Sequence, residues 1–157
     1  MIFTDQYFDY VSEIAKKIDK DTIFNMIKSL QTLKKSKGRL FIIGVGGSAG
    51  NASHAVNDFR KICNIETYAP TDNISELTAR TNDEGWGNIF VSWLKTSNIS
   101  QNDMLLVFSV GGGSQKLKIS ENIINAIILC KDIGAKILSI VGKMDGYAHK
   151  NSDLSLV

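Results

Sequence analysis

Apolar residues recur at helical spacing at Tyr7, Val11, Ile14 and Ile18, and after Asp19-Lys20-Asp21 the pattern restarts with Ile23, Phe24, Ile27, Leu30 and Leu33. Two amphipathic helices are predicted, the first with Thr4 or Asp5 as its cap and the second ended by Gly38. Leu40 to Ile43 is too short and too uniformly apolar for a surface helix, so it is predicted as a buried parallel strand. Ala52, Ala55, Val56, Phe59 and Ile62 then line one helical face, and a short extended piece over Ile65 to Tyr68 precedes Pro70. Ser75 to Arg80 is compatible with helix, Ile89, Phe90, Trp93 and Leu94 mark another, and Ser97-Asn98 makes a turn. Met104 to Phe108 is a second clear strand and Ile119 to Leu129 a strongly apolar helix stopped by Gly134. Its Ile119, Ile123, Ile124, Ile127 and Ile128 are expected in the core or an interface. Lys136 to Val141 forms a third strand, and Leu154 to Val157 begins a fourth. Strands alternating with helices predict an α/β fold, a three-layer sandwich with a central parallel sheet, preceded by two N-terminal helices.

Both early strands run into glycine. Leu40–Ile43 is followed by Gly44-Val45-Gly46-Gly47-Ser48-Ala49-Gly50, and Met104–Phe108 by Ser109-Val110-Gly111-Gly112-Gly113-Ser114. Bare glycines allow close approach, helix N-termini carry partial positive charge, and hydroxyls donate, so the pair of turns suits an anion or phosphate. In parallel sheets ligands sit beyond the carboxyl ends of the strands, where both turns fall.

Composition narrows the setting without choosing a partner. The 157 residues fit one domain, with 43% hydrophobic and 22% charged residues and a formal net charge of +2. Lys34, Lys35, Lys37 and Arg39 cluster as a solvated helix end rather than a nucleic-acid patch. Cys63 and Cys130 form no CxxC pair and are expected as free thiols in a reducing compartment. Met1–Asp5 has neither a basic start nor an apolar signal core, and no run is long enough to cross a bilayer. A cytoplasmic location is expected, with no membrane and no nucleic acid among the partners.

Three phosphate readings separate on chemistry. A P-loop needs Gly-Lys after its glycines, and neither turn has it. Gly44 to Gly50 approximates GxGxxG, with Glu66 near the place of a ribose-binding acid, but a dinucleotide site leaves Ser109 to Ser114 without a task. In the third, a sugar-phosphate site, Ser109 and Ser114 hold the phosphate with the N–H groups of Val110 through Gly113, and Ser48 with the first turn closes the other side. This reading needs no nucleotide cofactor.

Four motifs occur in one order: Gly44-Val45-Gly46-Gly47-Ser48; His54 with Asp58 one turn on; Thr81-Asn82-Asp83-Glu84-Gly85-Trp86; and Ser109-Val110-Gly111-Gly112-Gly113-Ser114. Their order and spacing resemble the sugar isomerase (SIS) domain proteins, specifically the phosphoheptose (sedoheptulose 7-phosphate) isomerase type, over nearly the whole chain. The resemblance implies a flavodoxin-like SIS fold: a single domain over 1–157, with the helical pair at 1–37 and the α/β core at 38–157. It also implies a homotetramer with active sites between subunits, assembled partly through the N-terminal helices. The implied activity interconverts sedoheptulose 7-phosphate and a manno-heptose 7-phosphate through an enediol, toward bacterial surface heptose and lipopolysaccharide. That chemistry needs a base and groups that steady an oxyanion.

By the same resemblance, His54 and Asp58 match a helical His and a Glu base four residues on, which carry zinc in some members. Asp is one methylene shorter, and misplacement by about 1 Å costs on the order of a hundredfold in rate unless the backbone compensates. Asn82 and Asp83 match an Asn-Asp pair that contacts substrate hydroxyls; their alternative is a plain turn. Gly46, Gly47, Ser48, Ser109, Val110, Gly111 and Ser114 match the phosphate-binding positions. Gly111 replaces a hydroxyl-bearing residue, and Val45 stands where Asn is common. In the family the last strand leads into a helix bearing a Gln and a second His, and this chain is expected to lack that helix. His149 lies in a polar stretch, expected to be exposed and without a role. The alternative of another class is a non-catalytic SIS module that binds a sugar phosphate as a regulator or assembly partner.

Overall fold

The computed structural model describes residues 2–157; Met1 lies outside them. Five strands, β1 (Leu40–Gly44), β2 (Thr67–Tyr68), β3 (Met104–Ser109), β4 (Lys136–Val141) and β5 (Leu154–Leu156), form one wholly parallel sheet in the order β2-β1-β3-β4-β5. This is the flavodoxin-like order, with its switch point between β1 and β3. The helices are α1 (Phe3–Lys17), α2 (Lys20–Lys35), α3 (Gly47–Lys61), α4 (Ile74–Glu84), α5 (Ile89–Thr96), α6 (Glu121–Ile133) and α7 (Tyr147–Asn151).

Alternation along the strands divides the core in two. Phe41, Ile43, Leu105, Val107, Ile137 and Val141 face α5 and α6, where Phe90, Trp93, Ile123 and Ile127 meet them. Leu40, Ile42, Met104, Leu106 and Leu138 face α2 and α3, where Met26, Leu33, Ala52 and Val56 pack. Burial on both faces explains why β1 and β3 read as unbroken apolar runs.

The residues that lead into β1 and β3 are joined by an ion pair, its carboxylate buried and its guanidinium half-buried. Arg39 Nη2 donates to Asp103 Oδ2 at 2.8 Å, and the Arg39 backbone N–H and Nε donate to Oδ1. Burial alone would push the Asp103 carboxyl up, but these bonds and those from Ser100 outweigh it and hold it below the usual carboxylate range. Arg39 is therefore a structural residue and not part of a solvated helix end.

Several expectations are corrected. α1 starts at Phe3, ahead of Thr4 and Asp5, with Ile2 at its N-cap and no side-chain cap. The piece over Ile65 to Tyr68 pairs as β2, making five strands rather than four. Asn82 and Asp83 lie in the last turn of α4 instead of a turn, because that helix continues to Gly85 at φ 80. α6 begins at Glu121, leaving Ile119 outside it and 53% exposed; Ile128 is 37% exposed on its outer face. His149 is half-buried in α7, its Nδ1 3.0 Å from Ser155 Oγ, which Ser139 Oγ also meets at 2.8 Å. Both cysteines are free, and burial pushes the Cys130 thiol up to about 12. Among the described residues no helix is long and apolar enough to cross a membrane.

Candidate functional site

The two Gly/Ser turns end neighbouring strands, since Gly44 of β1 is paired with Phe108 of β3. Both therefore open on one rim of the sheet. In the first turn α3 folds back tightly on the strand: a Cβ on Gly44 would lie 2.5 Å from the Ser48 carbonyl oxygen. Gly46 has φ 62 and ψ −126, a conformation essentially closed to other residues. Ser48 and Ala49 return their N–H groups to Val45 and Gly46, and among the described residues that of Gly47 meets no protein acceptor. It stands at the positive end of α3.

The second turn is organised by Ser109, whose Oγ accepts the Gly112 N–H at 3.0 Å. Of the four amides expected to serve a ligand, Gly112's is thus used within the turn. Three carbonyls of this turn are also engaged: Val110 accepts from Gly142 N–H, Gly112 from Ala148 N–H and Gly113 from Tyr147 N–H, at 2.8–3.0 Å. The start of α7, a helix with little apolar surface of its own, is held on the turn in this way.

Between the turns lies an open cleft of about 550 Å³. Ser48, Asn51, His54, Ala55 and Asp58 line it from α3, Phe108, Ser109 and Val110 from the end of β3, and Ile140, Val141 and Gly142 from the end of β4. His54 Nε2 stands 3.4 Å from Asp58 Oδ2, with side-chain exposures of 78% and 45%. Asn57 Nδ2 donates to the other carboxylate oxygen at 3.1 Å. A helical His and carboxylate four residues apart share one face, and here that face lines the cleft opposite the ends of β3 and β4. The arrangement joins an anion-binding end to a proton-accepting pair.

Of the residues singled out from sequence, the cleft gathers Ser48, His54, Asp58, Ser109 and Val110. Gly46 and Gly47 flank it at the exposed start of α3, and Gly111 lies on the exposed crest of the second turn. Asn82 and Asp83 do not line it; they are exposed on α4, Asn82 Nδ2 donating to Asp83 Oδ1 at 2.7 Å. Ser114 does not line it either. It opens an excursion closed by reciprocal bonds with Ile119, each 3.0 Å, and its Oγ accepts the Leu117 N–H. The hydroxyl standing at the start of α6 is that of Ser120, with φ 55 and no side-chain cap bond. Asn51 was readable as one more turn of the stripe that carries His54 and Asp58. Phe108, Ile140 and Val141 were not, since strand-end apolar residues look like core.

Zinc takes three or four protein donors. His54 and Asp58 supply two, and no cluster of three His, Cys, Asp or Glu side chains exists among the described residues. This chain's own residues do not fit a zinc site by themselves.

Comparison with known proteins agrees with this fold. The chain is 29% identical over 133 residues to a phosphoheptose isomerase of Helicobacter pylori (strain Shi470), covering 82% of this chain but 65% of that protein, less than two thirds of its length. Its fold matches phosphoheptose isomerase GmhA from Neisseria gonorrhoeae with a TM-score of 0.81 at 21% identity, over 98% of this chain and 84% of that one. It also matches the Vibrio vulnificus NanR protein, whose structure is a complex with ManNAc-6P, with a TM-score of 0.68 at 16% identity, over 96% of this chain and 47% of that one. The profile of the SIS domain matches residues 6–142, and on that match the chain belongs to the SIS domain family.

Proposed function

We propose that this chain is a phosphosugar isomerase of the sedoheptulose 7-phosphate type, acting in the formation of surface heptose. The observation that carries the proposal is the cleft itself, in which Ser48, His54 and Asp58 line the α3 wall and Ser109 faces them from the end of β3. The phosphate is held by the Ser48 and Ser109 hydroxyls and the Gly47 N–H. A dianion there gains charge-assisted hydrogen bonds and the favourable end of α3.

The Asp58 carboxylate removes a proton from C1 of the ketose, leaving an enediolate. The same group, now protonated, returns the proton to C2 to give the aldose, while His54 moves a proton between the two oxygens. No atom is lost or gained, so a single base suffices. The exposed apolar face of α1, with Phe3, Tyr7, Val11 and Ile14 all more than 40% exposed, supports the homotetramer. In such an assembly the exposed Asn82–Asp83 pair is free to meet sugar in a neighbouring copy's cleft. Zinc has no part in these steps.

The test is proton exchange and isomerisation with sedoheptulose 7-phosphate. Asp58→Asn is expected to lose on the order of a hundredfold or more in exchange while sugar-phosphate affinity stays within about threefold. The high exposure of His54 favours one rival, a module that binds a sugar phosphate without turning it over. Tight binding by the unaltered chain with no exchange would decide for that rival.

A further inference from the structure

At the rim opposite the Gly/Ser turns, where α2 and α3 end and β1 and β2 begin, lies a second cleft of about 490 Å³. Lys34, Lys37 and Arg60 line it against a single carboxylate, Glu66. Among the described residues none of the three cations has an ion-pair partner within 4.0 Å. Glu66 is already engaged, accepting the Tyr68 hydroxyl at 3.0 Å. Arg60 is fixed: its Nη1 donates to the Thr67 carbonyl at 3.1 Å, and its guanidinium lies 5.3 Å from the centre of the Tyr68 ring. A braced guanidinium with two ammonium groups around a concave wall is a donor set for phosphate groups.

The backbone supplies an independent observation. α2 closes with Lys37 N–H on the Lys34 carbonyl at 3.2 Å and Gly38 N–H on the Leu33 carbonyl at 3.0 Å. In that closure the first of the two donors takes left-handed backbone, where glycine is favoured. Here it is Lys37, at φ 59. Cations at the carbonyl ends of helices offset their dipoles, which accounts for basic residues at this rim. It does not account for a lysine at a position that glycine fills with less strain.

We infer that this cleft binds a small ligand with two adjacent anionic groups, a pyrophosphate or a bisphosphate, separately from the cleft between the Gly/Ser turns. The three cations exceed the one carboxylate by two charges, so a ligand with more than one anionic group is drawn there more strongly than a monoanion.

The test is a titration of the isotopically labelled full chain with inorganic pyrophosphate, followed by amide resonances. Saturable shifts at Gly38, Asn64 and Ile65 are expected, retained in Ser48→Ala/Ser109→Ala and in the surface control Lys20→Ala. The Lys34→Ala/Lys37→Gly variant should weaken binding about tenfold or more. Lys37→Gly alone should raise Tm by about 2–4 °C while weakening binding, opposite signs that a helix-closing role alone would not produce. Shifts confined to Gly46–Ser48 and Ser109–Gly113 would overturn the inference. So would an unsaturable drift reproduced by potassium chloride of equal ionic strength, or tighter capture of single-stranded RNA than of pyrophosphate.

Discussion

Replacing Ser109 by alanine removes two contacts of different worth, and the difference can be measured. Within the chain Oγ only accepts, from Gly112 N–H at 3.0 Å; its own proton is left for the cleft. Loss of the neutral loop bond costs about 1 kcal/mol, or a fall in Tm of roughly 2–4 °C for a chain of this size. Loss of the bond to a phosphate oxygen costs about 1.5–3 kcal/mol because one partner is ionised. That is about ten- to hundredfold in Kd. Calorimetry with sedoheptulose 7-phosphate and with the unphosphorylated sugar separates the two contributions, since only the first ligand feels the second loss. Ser114→Ala, at a hydroxyl outside the cleft, should leave both affinities within about twofold. Equal weakening for phosphorylated and unphosphorylated sugar would refute the assignment of Ser109 to the phosphate. An effect of Ser114→Ala as large as that of Ser109→Ala would refute the geometry of the excursion.

Gly146→Ala would place a Cβ 2.6 Å from the Gly111 carbonyl oxygen and 2.8 Å from Gly112 Cα. Both are backbone atoms, so the second turn must move, at a cost of about 1–3 kcal/mol, and denaturant unfolding with a phosphate titration should register lower stability and weaker binding together. Gly111→Ala, with open space around the added carbon, should leave stability unchanged. The lowered pKa of Asp103 fixes a pH dependence: its contribution is complete above the ordinary carboxylate pKa near 4 and is lost as pH falls through the folded value below it. Asp103→Asn should cost about 3 kcal/mol near neutrality by leaving Arg39 without its anion, and a thermal series from pH 7 to pH 2 should find the gap to the unaltered chain narrowing only below about pH 4.

Strong apolar runs made the sheet readable. β1 and the body of β3 stand where burial on two faces demands unbroken hydrophobic residues, and β4 and α6 are rich enough in isoleucine and leucine to be read beside them. Elements held by something other than apolar surface were not readable. β2 is a two-residue edge paired only with β1, and α7 depends on carbonyls donated by a distant turn. Asn-Asp-Glu-Gly is good turn chemistry, yet the i to i−4 ladder of α4 runs through it and stops only at Gly85. Ser48 was singled out by the Gly/Ser turn and His54 with Asp58 by the family resemblance, and a single helix, α3, places all three along the cleft. Ser114 stands outside the cleft lining because the excursion to Ile119 is closed by main-chain bonds, which carry no side-chain signature.

The engagement of Val110, Gly112 and Gly113 carbonyls by the β4–α7 segment gives the second turn a polarity of its own. With these three acceptors turned inward, the turn leaves a guest that must itself donate few atoms to receive the bond. Such a surface sorts guests by ionisation more than by outline. On the proposed assignment a phosphate monoester is expected to bind more tightly once its last proton has left, as the solution passes the second ionisation of the ester near pH 6.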